Sequence, residues 1–256
     1  MNNLKNKTVL LAGSTGLIGQ KLTQRFLSLD ANVVGIDINK EKLEEQSKLY
    51  KDSDNSMFIE CDITNKDSLN DVFLLAEERY VKVDSAVNLT YPRNAEYGKP
   101  FQEVSFKSFS ENLSMHLGGY FIFMQQCSGY SISKNIEFSL VNFSSIYGVI
   151  PPRFDLYEDT EMTMPVEYAA IKSGILHLSQ YLSQLTKKSL FRSNCISPGG
   201  IIDGQDEKFL ERYKKYSREK GMLDPEDILG TVVFLCSEDS RYLCGQNIIV
   251  DDGFSL

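Results

Sequence analysis

The sequence predicts a single α/β domain built on a doubly wound parallel sheet, and three observations predict it. Short apolar runs rich in β-branched residues alternate with longer amphipathic stretches along the whole chain. That alternation implies parallel pairing through right-handed crossovers, with helices flanking the sheet. At 256 residues the chain is within the reach of one α/β domain, and no repeat, low-complexity tract or linker divides residues 1–256.

Thr8–Ala12 reads as a buried strand. In Leu17–Leu29 the residues Leu17, Ile18, Leu22, Phe26 and Leu29 recur at helical spacing. Asn32–Asp37 is the second strand, followed by a charged helix over Lys40–Tyr50. Met57–Cys61 is the third strand, and a helix over Lys66–Tyr80 leads to the fourth, Val83–Leu89. Phe106–Tyr130 reads as one long helix despite Gly118 and Gly119. Ile136–Phe143 is the fifth strand. Val166–Thr186 is a helix with Pro165 at its entrance, where a missing N–H leaves nothing unsatisfied. Phe191–Ile196, a helix over Asp224–Cys236 and Gln246–Val250 complete a set of seven strands. The irregular stretches Thr90–Pro100 and Val149–Met164 follow strands. With residues near 200–220 they are expected to overhang the site as substrate loops.

The formal charge of −8 repels phosphate backbones, so nucleic acid is not the expected partner. No basic run points to a membrane surface. The five cysteines, Cys61, Cys127, Cys195, Cys236 and Cys244, are odd in number and contain no CxxC pair. They imply reduced thiols and no metal site. The first apolar run is too short for a secretory signal, and the stretch Gly119–Met124 is too short to span a bilayer. A cytoplasmic protein is expected.

In such sheets ligands sit beyond the carboxyl ends of the strands, and the motifs fall there. Gly13, Ser14, Gly16, Leu17, Ile18 and Gly19 join the first strand to the first helix in a GxxGxxG spacing. Glycines at this spacing allow a tight turn and close approach of backbone to a pyrophosphate, with the helix N-terminus offering free N–H groups. Asp37 ends the second strand, where a carboxylate can bind both adenosine ribose hydroxyls and repel the extra phosphate of NADP. NAD is therefore the expected cofactor and NADP the less expected one. A solvated strand end or a helix cap is the plainer role for Asp37. Asp62 ends the third strand and either accepts from the adenine amino group or caps the next helix. Asn88 ends the fourth and is placed to brace the backbone around the cofactor. Ile38, Ile63, Leu89 and Ile201 flank these anchors as candidate cofactor contacts.

Tyr168 and Lys172, at i and i+4, share one helix face between the fifth and sixth strands. A free tyrosine has a pKa near 10, and a neighbouring ammonium favours the phenolate and lowers it. Such a tyrosine can give a proton to a carbonyl or take one from an alcohol. Lys172 can also hold a ribose. Ser144-Ser145 ends the fifth strand, where a hydroxyl can orient the reacting oxygen or merely cap a turn. Pro198-Gly199 ends the sixth and can wall off the nicotinamide face.

These residues, in this order, resemble the short-chain dehydrogenase/reductase family along nearly the whole chain. The closing Gly245-Gln246 and Val250-Asp251 segment continues the match. The resemblance implies an NAD(P)-dependent enzyme acting on CH–OH groups with a Rossmann sheet of about seven strands. It makes Ser145, Tyr168 and Lys172 catalytic, and it implies a homotetramer or homodimer. At finer grain, Tyr91-Pro92-Arg93-Asn94, His116 to Phe121, Met162 to Tyr168 and Val250 to Phe254 resemble the flagellin-modification oxidoreductases of bacterial surface-sugar pathways. That implies a sugar-derived substrate such as a nonulosonic acid precursor.

The chain departs from the family pattern at four places. The glycine spacing matches the longer, sugar-nucleotide branch. Leu89-Thr90-Tyr91 stands where the family has Ala-Gly after the asparagine. His116 aligns with the family's active-site asparagine, and Asn112 lies one turn earlier. An imidazole there can serve a proton relay or fill a hydrogen-bonding slot. Ser145 and Tyr168 are separated by an enlarged loop. Candidate substrate contacts are Tyr91, Arg93, Tyr147 and Arg153, since arginines can grip a phosphate or carboxylate bidentately. Two other functions remain open: a ketoacyl or other carbonyl reductase, and a non-catalytic NAD-binding subunit. The polar residues Arg153, Asp155, Glu158 and Asp159 are read as favouring a polar substrate.

Overall fold

The computed structural model describes residues 4–256. Its strands are β1 (Thr8–Ala12), β2 (Asn32–Asp37), β3 (Ser56–Glu60), β4 (Ser85–Asn88), β5 (Phe138–Phe143), β6 (Phe191–Pro198) and β7 (Asn247–Val250). They form one seven-stranded sheet in the order β3-β2-β1-β4-β5-β6-β7, with every pairing parallel. The helices are α1 (Leu17–Leu27), α2 (Lys40–Leu49), α3 (Lys66–Tyr80), α4 (Phe106–Asn112), α5 (Gly118–Lys134), α6 (Val166–Leu185), α7 (Glu207–Lys215) and α8 (Glu226–Cys236).

The period of two along β1 divides the core. Leu10 and Ala12 point to one face, where they pack with α3, α5 and α6. Val9 and Leu11 point to the other, against Leu22 and Phe26 of α1 and Ile228 to Cys236 of α8. Both faces are covered, which is why β1 reads as an unbroken apolar run. A third, smaller cluster sits outside the sheet. It joins Tyr147 and Leu156 to Phe209 and Tyr213 of α7, with Met222 and Phe254. β1 lies between β2 and β4, so the strand order reverses there and a crevice opens at the carboxyl ends of β1 and β4.

Three elements differ from the sequence reading. The stretch expected to be one helix from Phe106 to Tyr130 is two, joined by a π-helical turn at Leu113–Leu117, and the second half runs on to Lys134. The glycines at 118 and 119 are tolerated, and Asn135 ends the helix in the left-handed conformation (φ 52°). β4 is shorter than Val83–Leu89, because Leu89 already turns over the glycine loop. Helix α7 falls in a stretch expected to be loop. Its signals are there in retrospect: Asp206 caps it by accepting from the Lys208 N–H at 2.8 Å, and Phe209 and Tyr213 are buried one turn apart. Among the described residues no helix is long and apolar enough to cross a membrane.

Candidate active site

The turn from β1 to α1 is shaped by backbone contact. Gly13 adopts φ +81°, a conformation that favours glycine. A Cβ at Gly19 would collide with the Gly13 carbonyl oxygen and lie 2.8 Å from Ser14 Cα, so α1 docks on its own entry loop. The N-terminus of α1 at Gly16 has no side-chain cap and no acidic residue in its first turn. Its N–H groups remain available to a phosphate.

Asp37 stands across this turn. Its Oδ2 accepts from the Thr15 N–H (3.2 Å) and hydroxyl (2.7 Å), and its Oδ1 accepts from the Asn39 N–H (3.1 Å). The carboxylate is thus tied to the glycine turn at the cleft edge. Asp62 accepts from the backbone and hydroxyl of Thr64. Asp37, Ile38, Asp62, Ile63 and Leu89 line a cleft of about 610 Å³ that begins at Gly13 and Gly16. Asn88 is fully buried, and its Oδ1 accepts from the backbone and hydroxyl of Thr90, while its Nδ2 has no partner. Tyr120, wholly buried on α5, donates its hydroxyl to the Asn88 carbonyl at 2.9 Å. Ser14 is a correction: its hydroxyl is buried and donates to Gln46 Oε1 at 3.0 Å, and its N–H bonds Ile36, so neither faces the cleft. Gln46 returns a bond to the Ser14 carbonyl and so bolts α2 to the glycine turn. Sequence reasoning passed over Gln46; three residues after Leu43, it lies on the buried face of an otherwise charged helix.

At the other end, a second cleft of about 570 Å³ shares Gly13, Gly16, Leu89 and Tyr91 with the first. Leu17, Ile18, Gly19, Ser145, Tyr168, Lys172, Pro198, Gly199 and Ile201 all line it. Lys172 Nζ donates to the Phe143 carbonyl at 2.9 Å and sits 5.5 Å from the Tyr168 ring centroid. Ser145 accepts from the Tyr147 N–H and so holds the turn after β5. Burial pushes Tyr168 up to about 12, against the lowering pull of the Ser145 hydroxyl. Burial also brings Lys172 down to about 7. The expectation that the ammonium lowers the phenol is therefore reversed here, because withdrawal of both groups from water outweighs their proximity.

His116 lies in the π-helical turn, fully buried, with both ring nitrogens unpartnered. Burial, aided by the Lys172 charge, takes it down to about 2, so it is neutral at any working pH. Tyr91 packs edge-on against His116 (5.3 Å) and Tyr168 (5.8 Å), linking the histidine to the tyrosine. Asn112 faces elsewhere: it accepts from the Asn94 N–H at 2.9 Å and donates to Glu167, a fully buried carboxylate beside Tyr168.

All three expected loops reach the second cleft, through Tyr91, through Tyr157 and Met162 to Pro165, and through Asp203, Gln205, Phe209 and Tyr213. Tyr147 lines it with a buried ring whose hydroxyl lies toward Tyr157. Two substrate candidates are corrected. Arg153 turns away, stacking over Tyr216 (4.2 Å) and donating to the Phe254 carbonyl. Arg93 lines the first cleft and not the second. The acidic residues of the loop also face outward: Asp155 accepts from the Tyr216 hydroxyl, Asp159 pairs with Arg212, and the exposed Glu158 meets Arg212 only through its backbone carbonyl. Their polarity does not describe the pocket, which is tyrosine- and methionine-rich.

Two clefts that meet at the glycine turn over the switch point of a parallel sheet, one of them lined by a Tyr–Lys helix, are the arrangement in which α/β proteins bind dinucleotides. Comparison with known proteins narrows this. The family model described as Enoyl-(Acyl carrier protein) reductase matches residues 13–255. Post-translational flagellin modification protein A of Campylobacter coli is 38% identical over 259 residues, covering 99% of this chain and 100% of that protein. The 7alpha-hydroxysteroid dehydrogenase of Bacteroides fragilis is 25% identical, covering 100% of this chain and 97% of its own. The crystal structure of a short chain dehydrogenase from Leptospira borgpetersenii serovar Hardjo-bovis with bound NAD+ matches with a TM-score of 0.86 at 30% identity, covering 100% of this chain and 95% of that one. The chain belongs to the short-chain dehydrogenase/reductase family. It is an oxidoreductase of alcohol and carbonyl groups, in a family that works with a nicotinamide cofactor.

Proposed function

We propose that the chain is an NAD-dependent oxidoreductase that interconverts a hydroxyl and a carbonyl carbon on a sugar derivative. The observation that carries this reading is the convergence of Ser145, Tyr168 and Lys172 in the tyrosine-lined pocket, which shares Gly13, Gly16, Leu89 and Tyr91 with the Asp37 cleft. The glycine turn and Asp37 fit a dinucleotide whose adenosine ribose hydroxyls replace solvent on the carboxylate and whose phosphates meet the uncapped N-terminus of α1. The cofactor supplies or takes up the hydride. Tyr168 holds its proton until a carbonyl oxygen needs it, as its raised pKa dictates, and recovers it from an alcohol in reverse. Ser145 orients the same oxygen. Lys172 holds a ribose, and neutral His116 packs edge-on against Tyr91, the ring that in turn meets Tyr168, without changing charge. Asp62, Ile63, Leu89, Pro198, Gly199 and Ile201 complete the cofactor wall.

The faces of tyrosines 91, 147, 157 and 213 suit the C–H faces of a sugar ring, and their hydroxyls suit its hydroxyls. The likeness to a post-translational flagellin modification protein supports a place in that modification, which on the sugar reading is surface-glycan synthesis in the cytoplasm. Exposed Phe121 and Ile132 on α5 and Tyr181 and Leu185 on α6 support a homodimer or homotetramer. A second reading, a carbonyl reductase of apolar substrates, is favoured by Met162, Met164, Met222 and Phe209 in the same pocket and by the hydroxysteroid dehydrogenase relative.

The test is titration of NADH and NADPH by fluorescence on the wild type and Asp37→Ala. Turnover follows on panels of amino sugars, polyols and hydroxysteroids. NADH is expected to bind more tightly and to lose that preference in the variant. A sugar is expected to turn over, with kcat lowered roughly 10²–10⁴-fold in Tyr168→Phe. Turnover of the steroids alone selects the second reading.

A further inference from the structure

The loop after β4 lies directly on the glycine turn. A Cβ at Gly13 would meet Leu89 and the Thr90 nitrogen at 3.2–3.3 Å. Four residues beyond Leu89 the chain reaches Arg93, which lines the same cleft as Gly13, Thr15, Gly16 and Asp37. Its guanidinium rests 5.0 Å from the Tyr91 ring centroid, and among the described residues no carboxylate forms an ion pair with it. The carboxylates of the cleft are already engaged, Asp37 by Thr15 and Asn39 and Asp62 by Thr64. The other cation lining it is Lys42, beside Asp37 and Asn39.

We propose that Arg93 is a cofactor-binding residue, closing over the pyrophosphate of the dinucleotide from the β4 side while the α1 N-terminus holds it from below. This rests on the dinucleotide reading above and adds to it a residue otherwise taken for a substrate contact. A pyrophosphate carries two negative charges, and helix N–H groups supply only partial positive charge. A guanidinium at the cleft, set over a tyrosine ring, supplies a full one in a forked geometry suited to phosphate. The Tyr91 side chain also draws on one of its five N–H donors, and the others are left for a phosphate.

Arg93 is exposed, so its replacement leaves the fold intact. Purified wild type, Arg93→Gln and Arg93→Lys are titrated with NADH and NADPH by fluorescence at low and high salt. The substrate KM follows wherever turnover is found. Arg93→Gln is expected to weaken NADH binding on the order of tenfold and to flatten its salt dependence. Arg93→Lys is expected to recover part of the loss, and the substrate KM is expected to stay put. Unchanged NADH affinity in Arg93→Gln overturns the proposal, as does a loss confined to NADPH or to the substrate KM. Failure of the wild type itself to bind either dinucleotide sinks the dinucleotide reading instead, and so separates the two failures.

Discussion

The buried Lys172 ammonium makes a prediction about stability that is independent of any substrate. In water a lysine titrates at 10.5, and here burial brings it to about 7. That difference is equivalent to at most about 5 kcal/mol set against the folded state whenever the lysine carries its proton in both states. Below about pH 7 the full penalty is present. Between about 7 and 10.5 the unfolded chain keeps a proton that the folded chain has released, so this group's contribution to stability improves as pH rises, by up to about 1.4 kcal/mol per pH unit. Lys172→Met removes the charge and keeps most of the volume. The Phe143 carbonyl then keeps only a shared approach of the Tyr120 hydroxyl at 3.2 Å, whose one proton lies closer to the Asn88 carbonyl at 2.9 Å, so about 1–3 kcal/mol is set against the gain for the lost bond. The variant is therefore expected to be inactive yet more stable by a few kcal/mol near pH 6.5, with the gain vanishing by about pH 10. Urea denaturation of both proteins, followed by circular dichroism across that range, reads the difference directly. Taking the difference between the two proteins cancels the tyrosines and cysteines that titrate in the same window. A gain that stays constant with pH would refute the reasoning, because it means the folded chain keeps Lys172 charged throughout.

Gly19→Ala drives a methyl group into the Gly13 carbonyl, and something in the turn must move. NADH binding is expected to fall at least tenfold, with a lowered Tm in differential scanning calorimetry; an unshifted affinity contradicts the account of the turn. His116→Asn preserves a hydrogen-bonding side chain in the π-helical turn and is expected to keep most of kcat. His116→Phe is expected to lower it about tenfold or more, and neither change should introduce a new ionisation near pH 6–7 in the rate profile. Loss of an ionisation in that range on replacing His116 contradicts its neutrality.

The parts of the molecule governed by local pattern were readable in advance. β1 announces itself because it is buried on both faces, and the Tyr168–Lys172 spacing survives folding because i and i+4 are neighbours on any helix. What sequence reasoning missed depends on partners distant in the chain. Arg153 was a sensible anion ligand until Phe254 and Tyr216, far along the chain, claimed it. Ser14 sits within a phosphate-binding motif, yet its direction is set by Gln46 on the next helix. The Tyr168 shift went the wrong way because proximity to Lys172 is visible in a sequence and desolvation is not. The π-helical turn at His116 carries no glycine or proline to mark it.

The third apolar cluster separates the two halves of the site mechanically. The cofactor cleft is framed by strands whose residues are buried in the main core. The roof of the substrate pocket hangs instead on a satellite in which Phe254 stacks on Tyr213 at 4.1 Å, and the Tyr213 hydroxyl accepts from the Gly200 N–H at 2.7 Å. Asp252 pins the following turn by gathering the N–H groups of Glu219, Lys220 and Gly221. Local opening of that satellite is expected to leave the sheet undisturbed. Substitutions within it are therefore expected to reshape what the enzyme accepts, and Tyr168, packed against the same cluster, is the point at which they reach the proposed chemistry.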